Sequence, residues 1–435
     1  LKQNAQARRA HHMGSELAMS SHGASLAVVY GVCFIDGLGF GIVMPIVPFL
    51  FQTAAWNGYL VSSYAGAQAL GSIVWGRLAD RIGRRPVLLL GLLGSVVSYI
   101  GFALAVDLLH AGSKRNVAFL LSRMSGGLFG GQASVASAYV ADVSAPHERS
   151  KRQSFVGGIS GLGLVFGPPV GALLVKCPLR LCGDATAFYF AAAVTMASFM
   201  VGLTRLTESR AICRNAPLDE GPDAAPGNGV EACPAREQQL LNPAPTEFVR
   251  RRLEQALWLC AGIVFANRIC FTLIETCAAY LVRDYLGWGP EKYAMLFMVM
   301  GFTMALTQIL VTKRAIASVG EIYTMMVGIV LRVVSFYFAS TDVVVRHAFL
   351  IVPCTTCVGL AGSLTNPAIS VLVTGISSDL AEGSGELAAY GKHLGMKDAA
   401  SNLAQVVAPL VSGMLYDSLH LLVLKGAALI SIASL

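Results

Sequence analysis

The chain has 435 residues, 55% of them hydrophobic and only 13% charged, with a mean hydropathy of +0.62. Soluble domains carry about 25% charged residues, so this composition cannot coat a water-soluble surface. The net charge of +7 comes without a basic stripe interleaved with aromatics, which argues against a nucleic-acid partner, and the lack of short alternating segments argues against an outer-membrane barrel.

In chain order, residues 1–24 are polar and lack an apolar core followed by a small-residue cleavage site, so a disordered cytosolic N-terminus is expected rather than a secretory signal. Taking about 20 apolar residues per crossing, six spans fall near 26–50, 57–76, 86–106, 116–141, 153–175 and 185–204. The stretch 205–252 is rich in proline, glycine and acid (NAPLDEGPDAAPGNG) and shows no apolar periodicity, so it reads as a cytosolic linker. Six more spans follow near 256–282, 292–312, 321–340, 347–375, 397–416 and 420–435. The expected organisation is an N-terminal six-helix bundle over 25–204 and a C-terminal one over 253–435. Two such halves around a central cavity are the plan of a secondary transporter.

Lysine and arginine set the orientation. The loops after spans two, four, eight and ten and the linker hold Arg77, Arg81, Arg84, Arg85, Arg149, Lys151, Arg152, Lys313, Arg314, Lys392, Lys397 and Arg250 to Arg252, and the opposite loops hold fewer. Both termini are therefore expected in the cytosol. Cys33, Cys260, Cys270, Cys277, Cys354 and Cys357 lie inside apolar spans, where cysteine acts as a small hydrophobe. Cys177 and Cys182 flank a short non-cytosolic loop, and their pairing is left open by the sequence.

A charge at the bilayer centre costs at least about 2.5 to 3.5 kcal/mol, so each one requires a partner or a task. Asp36 lies about ten residues into its helix, roughly 15 Å deep, and is flanked by glycines. Arg123 enters near the start of span four. Arg268 and Glu275 are seven apart in span seven and so share a helical face. Glu275 is a candidate second proton or cation site, or the two residues neutralise each other. Arg332 is isolated in span nine, where it could pair with a neighbouring helix. Gln308, Asn366, Asn402 and Gln405 are uncharged polar residues in spans; each could bond a solute or glue helices together.

The loop GRLADRIGRR holds Gly76, Asp80, Arg81, Gly83, Arg84 and Arg85 between spans two and three, and it resembles, residue for residue, the signature loop of the major facilitator superfamily. DGLGFGIVMPIVPFL, beginning at Asp36, resembles the first helix of its twelve-span drug:proton antiporters, especially the tetracycline-efflux branch. LLSRMSGGLFGG, with Arg123, and YVADVSAPHERSKRQSFVG, with Asp142, are similar to that group's fourth span and the loop after it. In GLVFGPPVGA, Gly163, Gly167, Pro168 and Gly171 match the antiporter motif, with Ala172 in place of its final glycine. Asn366-Pro367 and APLVSGMLYD still fit in the second half, but TKRAIASVGE is a poor copy of the signature loop.

The resemblance implies an all-α membrane protein of the major facilitator fold, with twelve transmembrane helices in two pseudo-symmetric six-helix bundles. It also implies a charge relay of Asp142 with a loop arginine that closes the cytosolic side. The expected activity is secondary transport of a small organic solute by alternating access, through proton antiport of the tetracycline or multidrug efflux type. The alternatives are a uniporter or symporter of a sugar or organic acid, and a non-transporting receptor or scaffold. No metal cluster, nucleophile elbow or phosphate loop points to an enzyme. Expected partners are the solute, protons and the lipid bilayer; a monomer with no cofactor beyond the proton gradient is expected.

Overall fold

The computed structural model describes residues 25–130, 132–144, 146–176, 185–208, 247–384 and 387–434. The expectations for the N-terminal tail, most of the linker and the Cys177–Cys182 pair lie outside these residues, as does the side chain of Asp80. The described residues are mostly helical and contain no strand. This is the outcome that hydrocarbon demands, because a helix satisfies its own backbone polar groups.

The helices are α1 (residues 25–43), α2 (Ala54–Ile82), α3 (Arg84–Leu108), α4 (Ser113–Phe129), α5 (Gln132–Asp142), α6 (Pro146–Lys176) and α7 (Thr186–Arg205). They continue with α8 (Glu247–Leu286), α9 (Pro290–Thr307), α10 (Lys313–Val319), α11 (Glu321–Ala339), α12 (Asp342–Arg346), α13 (Ala348–Ser384), α14 (Leu387–Leu419) and α15 (Leu422–Ala433). Among the described residues, eight helical segments are long and apolar enough to cross a membrane, by length and composition. They occupy the positions expected for spans one, three and five to ten. Positions two, four and eleven hold the more polar α2, α4 with α5, and α14, and position twelve holds the short α15.

Two expected spans differ in detail. The fourth breaks after Phe129 at Gly130, and side chains of α2 take the carbonyls freed there: Trp75 Nε1 donates to Leu128 O at 2.6 Å and Gln68 Nε2 to Gly130 O at 3.2 Å. The eighth continues through a π-turn, Gln308–Thr312, in which the Thr312 hydroxyl reaches Thr307 O, five residues back, at 3.2 Å.

The chain divides into two compact units. The first is Leu1–Gln52 with Tyr59–Ala216 and Trp288–Met298. Its core stacks Phe102 between Phe119 and Phe188, at 5.1 and 5.2 Å between ring centroids, with Phe51 edge-on to Phe119. A second apolar cluster packs Val29, Leu88, Tyr139 and Leu206 together. The other unit is Thr53–Gly58 with Pro217–Gly287 and Val299–Leu435, and its core joins Leu257, Ile329, Ile369 and Val373. There the first turn of α2 rests on α14. Asp417 accepts from the backbone N–H of Ala54 at 3.0 Å and of Ala55 at 3.1 Å, satisfying donors that a helix start leaves open.

Candidate functional site

In the first unit, α1 and α6 meet along a seam of glycines. A Cβ on Gly37 would lie 2.3 Å from Ser160 O, one on Gly163 2.2 Å from Phe34 O, one on Gly167 2.5 Å from the Gly41 backbone and one on Gly171 2.7 Å from Ile42 O. Glycines four apart on both helices let the backbones touch. The antiporter-motif glycines therefore serve as the surface on which α1 lies, and Pro168 sits beside Gly41 in the same seam.

That seam holds the stretch of α1 carrying Asp36, whose half-buried carboxylate has no ion-pair partner within 4 Å among the described residues. One turn on, the Tyr99 hydroxyl of α3 sits over Gly39, where a Cβ would come within 2.7 Å of it. Arg123 is buried in α4 and lies between two rings, its guanidinium carbon 5.2 Å from the Phe40 centroid and 4.5 Å from that of Tyr64. This aromatic clamp holds a cation by the quadrupoles of both rings and leaves Arg123 Nε without a hydrogen-bond partner. Phe40, one turn on from Asp36 in α1, lies 6.1 Å from Tyr64 between ring centroids. The structure thus brings Asp36 and Arg123 into one cluster and adds Phe40, Tyr64 and Tyr99, which the sequence reading missed. Tyrosines within apolar spans were the available signal, since a buried hydroxyl must find a partner.

The signature loop lies at one end of the same unit. Gly83 has φ +104°, a conformation that favours glycine, and turns the chain directly into α3. Arg84 Nε donates to Asp142 Oδ2 at 3.2 Å, so these two expected gate residues meet. Gly76 has open space around its Cα, while Arg81 is exposed. The sequence reading missed Glu208. Its carboxylate accepts from Arg84 N at 2.8 Å and Arg85 N at 3.1 Å, as an anion on a helix N-terminus should. A Cβ on Gly83 would come within 2.5 Å of Glu208 Oε2, so the loop glycine also makes room for this carboxylate. The segment carrying Glu208 is pinned by Thr207, which bonds Ser25 Oγ at 2.7 Å and accepts from the Tyr139 hydroxyl at 2.9 Å, and by Arg85, which donates to Leu203 O at 2.7 Å.

In the second unit, Arg268 stands at the middle of α8, 5.5 Å from the Phe271 ring, with its Nε unpartnered. Glu275 is half-buried on the same helix. Asn267, which the sequence reading passed over, donates from Nδ2 to Asn366 Oδ1 of α13 at 2.7 Å. Beneath this amide pair lies Arg332 of α11, only 3% exposed. It donates from Nη2 to Thr365 Oγ1 at 3.0 Å and from Nη1 to Asn267 O at 3.4 Å. Gln308 and Asn402 are exposed and Gln405 is half-buried, and among the described residues none of the three shares a hydrogen bond with the amide pair. Among the described residues, no group of three or more His, Cys, Asp or Glu is placed to hold a metal ion.

Residues 29–276, more than half of the chain, match the Major Facilitator Superfamily. The tetracycline resistance protein, class H, of Pasteurella multocida is 24% identical over 403 residues, covering 90% of this chain and 89% of that protein. The crystal structure of the human organic anion transporter MFSD10 (TETRAN) superposes with a TM-score of 0.62 at 21% identity, covering 95% of this chain and 98% of that one. That of a D-xylose-proton symporter gives 0.66 at 16%, covering 96% and 95%. With its run of apolar helices, this chain is an integral, multi-pass membrane protein with the all-α fold of a transporter rather than of an enzyme. The chain belongs to the major facilitator superfamily.

Proposed function

We propose that the chain is a proton-coupled exporter, exchanging a small organic solute for protons by alternating access and drawing on the proton gradient with no cofactor. It works as a monomer with both termini in the cytosol. The observation that carries this reading is the Asp36 carboxylate at mid-helix, set on the glycine seam and close to Arg123, Tyr64 and Tyr99. A membrane-buried carboxylate held near a cation and two hydroxyls is suited to accept and release a proton, and such residues mark proton relays.

The glycine seam supports the reading further, because it allows little slack in the position of α1. The tetracycline resistance protein among the relatives fits efflux in this direction. Proteoliposomes containing the purified chain test the reading: solute added on one face should move protons the opposite way in the wild type, and Glu275→Gln separates a one-carboxylate from a two-carboxylate mechanism. Solute flux with no proton movement in the wild type would overturn the proposal and favour uniport.

A further inference from the structure

In the second unit, α8 and α15 border a groove of about 580 Å³, lined in part by Gln255, Trp258, Gly262 and Ala266 of α8 and Ile430 and Ala433 of α15. No charged side chain lines it. A Cβ on Gly262 would meet nothing within 4 Å, so the groove is open there down to the α8 backbone. From Gln255 to Ala266 it runs about 17 Å along the helix at 1.5 Å per residue, close to the depth of hydrocarbon in one leaflet, half of about 30 Å. Arg251 and Arg252 come four and three residues before Gln255, so both stand one turn from it on the groove's face, and both are exposed. Arg250 pairs with Glu254 at 3.3 Å, and at about 100° per residue these two fall on another side of the helix.

We propose that this face of α8 binds one anionic phospholipid, with its phosphodiester against Arg251 and Arg252 and an acyl chain in the groove. The helix has 40 residues, about 60 Å of length, twice the hydrocarbon thickness, so its first turns stand at the headgroups or beyond. Trp258, 70% exposed, follows the arginines by about 10 Å, where an indole sits at the boundary between headgroup and hydrocarbon. Two cations at one end of an apolar slot one leaflet long complement an amphiphile with an anionic head. Arginine takes phosphate oxygens with its planar fork, and the Gln255 amide can donate to an ester or phosphate oxygen. The anionic lipids of a cytosolic leaflet supply such heads. This site goes beyond the transporter reading and does not depend on proton coupling.

The test is native mass spectrometry of the full chain in detergent micelles, titrated with three probes: dioleoylphosphatidylglycerol, the zwitterionic dioleoylphosphatidylcholine, and glycerophosphoglycerol, which has the anionic head without chains. The first phosphatidylglycerol should bind about fivefold to thirtyfold more tightly than the first phosphatidylcholine, the effect of one to two juxtamembrane arginines, and the chainless head should not bind at the same concentrations. Replacing Arg251 and Arg252 together by glutamine should bring the ratio close to one. Arg250→Gln, on the other side of the helix, should leave the ratio unchanged. Gly262→Leu places its side chain in open space and should weaken both lipids about tenfold, the burial of two methylene groups. Its melting temperature should not fall, because leucine is the better helix former.

Equal affinity for the two lipids, equal binding of the chainless head, an unchanged ratio in the double arginine variant, or a ratio lost in Arg250→Gln would each overturn the site. So would unchanged lipid affinity in Gly262→Leu, the result expected if a second copy or another segment of this chain fills the groove. None of these readouts involves proton movement, so the lipid site and the antiport proposal fail separately.

Discussion

Replacing Gly163 by alanine should injure transport far more than the loss of a single hydrogen atom suggests. The new methyl carbon would lie 2.2 Å from Phe34 O and 2.7 Å from Leu38 N, and both obstacles are backbone of α1. Ordinary contact begins near 3.4 Å, so α1 and α6 must part locally by about 1 Å. Overpacking of this kind typically costs about 1–3 kcal/mol, offset in part by about 1 kcal/mol of helix propensity gained over glycine. The displaced stretch of α1 includes Asp36, and misplacing a reacting group by about 1 Å can cost on the order of a hundredfold in rate.

The assay is proton-coupled exchange in proteoliposomes, read beside the melting temperature. Gly161→Ala is the internal control: it lies on the same helix with nothing within 4 Å of its would-be Cβ. It should leave exchange unchanged and melt at the same or a slightly higher temperature. If Gly163→Ala and Gly161→Ala exchange and melt alike, the seam does not position Asp36 and the reasoning fails.

Glu208→Gln removes the anion from the N-terminus of α3 and should lower stability by about 0.5–1 kcal/mol, a figure reduced for its partial exposure. Gly83→Ala should cost more, through both its φ and the clash with Glu208, and an unchanged melting temperature in Gly83→Ala would refute the account of that turn. Asp417→Ala strips the cap from Ala54 and Ala55 and should destabilise the fold by about 0.5–1 kcal/mol in a melting experiment, with Asp417→Asn milder because one acceptor oxygen remains; equal melting of both variants and the wild type would refute the cap.

The all-α fold and the order of its helices were legible because apolar runs of membrane length are the strongest pattern a sequence can carry. The motif glycines Gly163, Gly167 and Gly171 stood out in the sequence, but their contact with Gly37 and Gly41 on α1 emerges only from the packing. The second signature loop looked degraded, yet Gly320 keeps φ +86° at the turn into α11, as Gly83 keeps +104° at the turn into α3. The two loops share this backbone geometry, although TKRAIASVGE holds one arginine, Arg314, against four in GRLADRIGRR.

What escaped the sequence depends on pairings distant along the chain. Glu208 is 124 residues from Arg84 and sits in a polar stretch with nothing to mark it as a cap. Asn267 and Asn366 are 99 apart; Asn366 was a candidate from the sequence, but nothing there marked Asn267 as its partner. The break after Phe129 was hidden because hydropathy continues through it, and only the donors of Trp75 and Gln68, on another helix, make it tolerable.

Asp36→Asn in proteoliposomes tests the central claim most directly. The variant keeps the shape of the side chain and loses its ability to carry a proton. It should still exchange labelled for unlabelled solute across the membrane at equilibrium, while accumulation driven by a pH gradient falls to the level of empty vesicles. Gradient-driven accumulation at the wild-type level in Asp36→Asn would contradict the account.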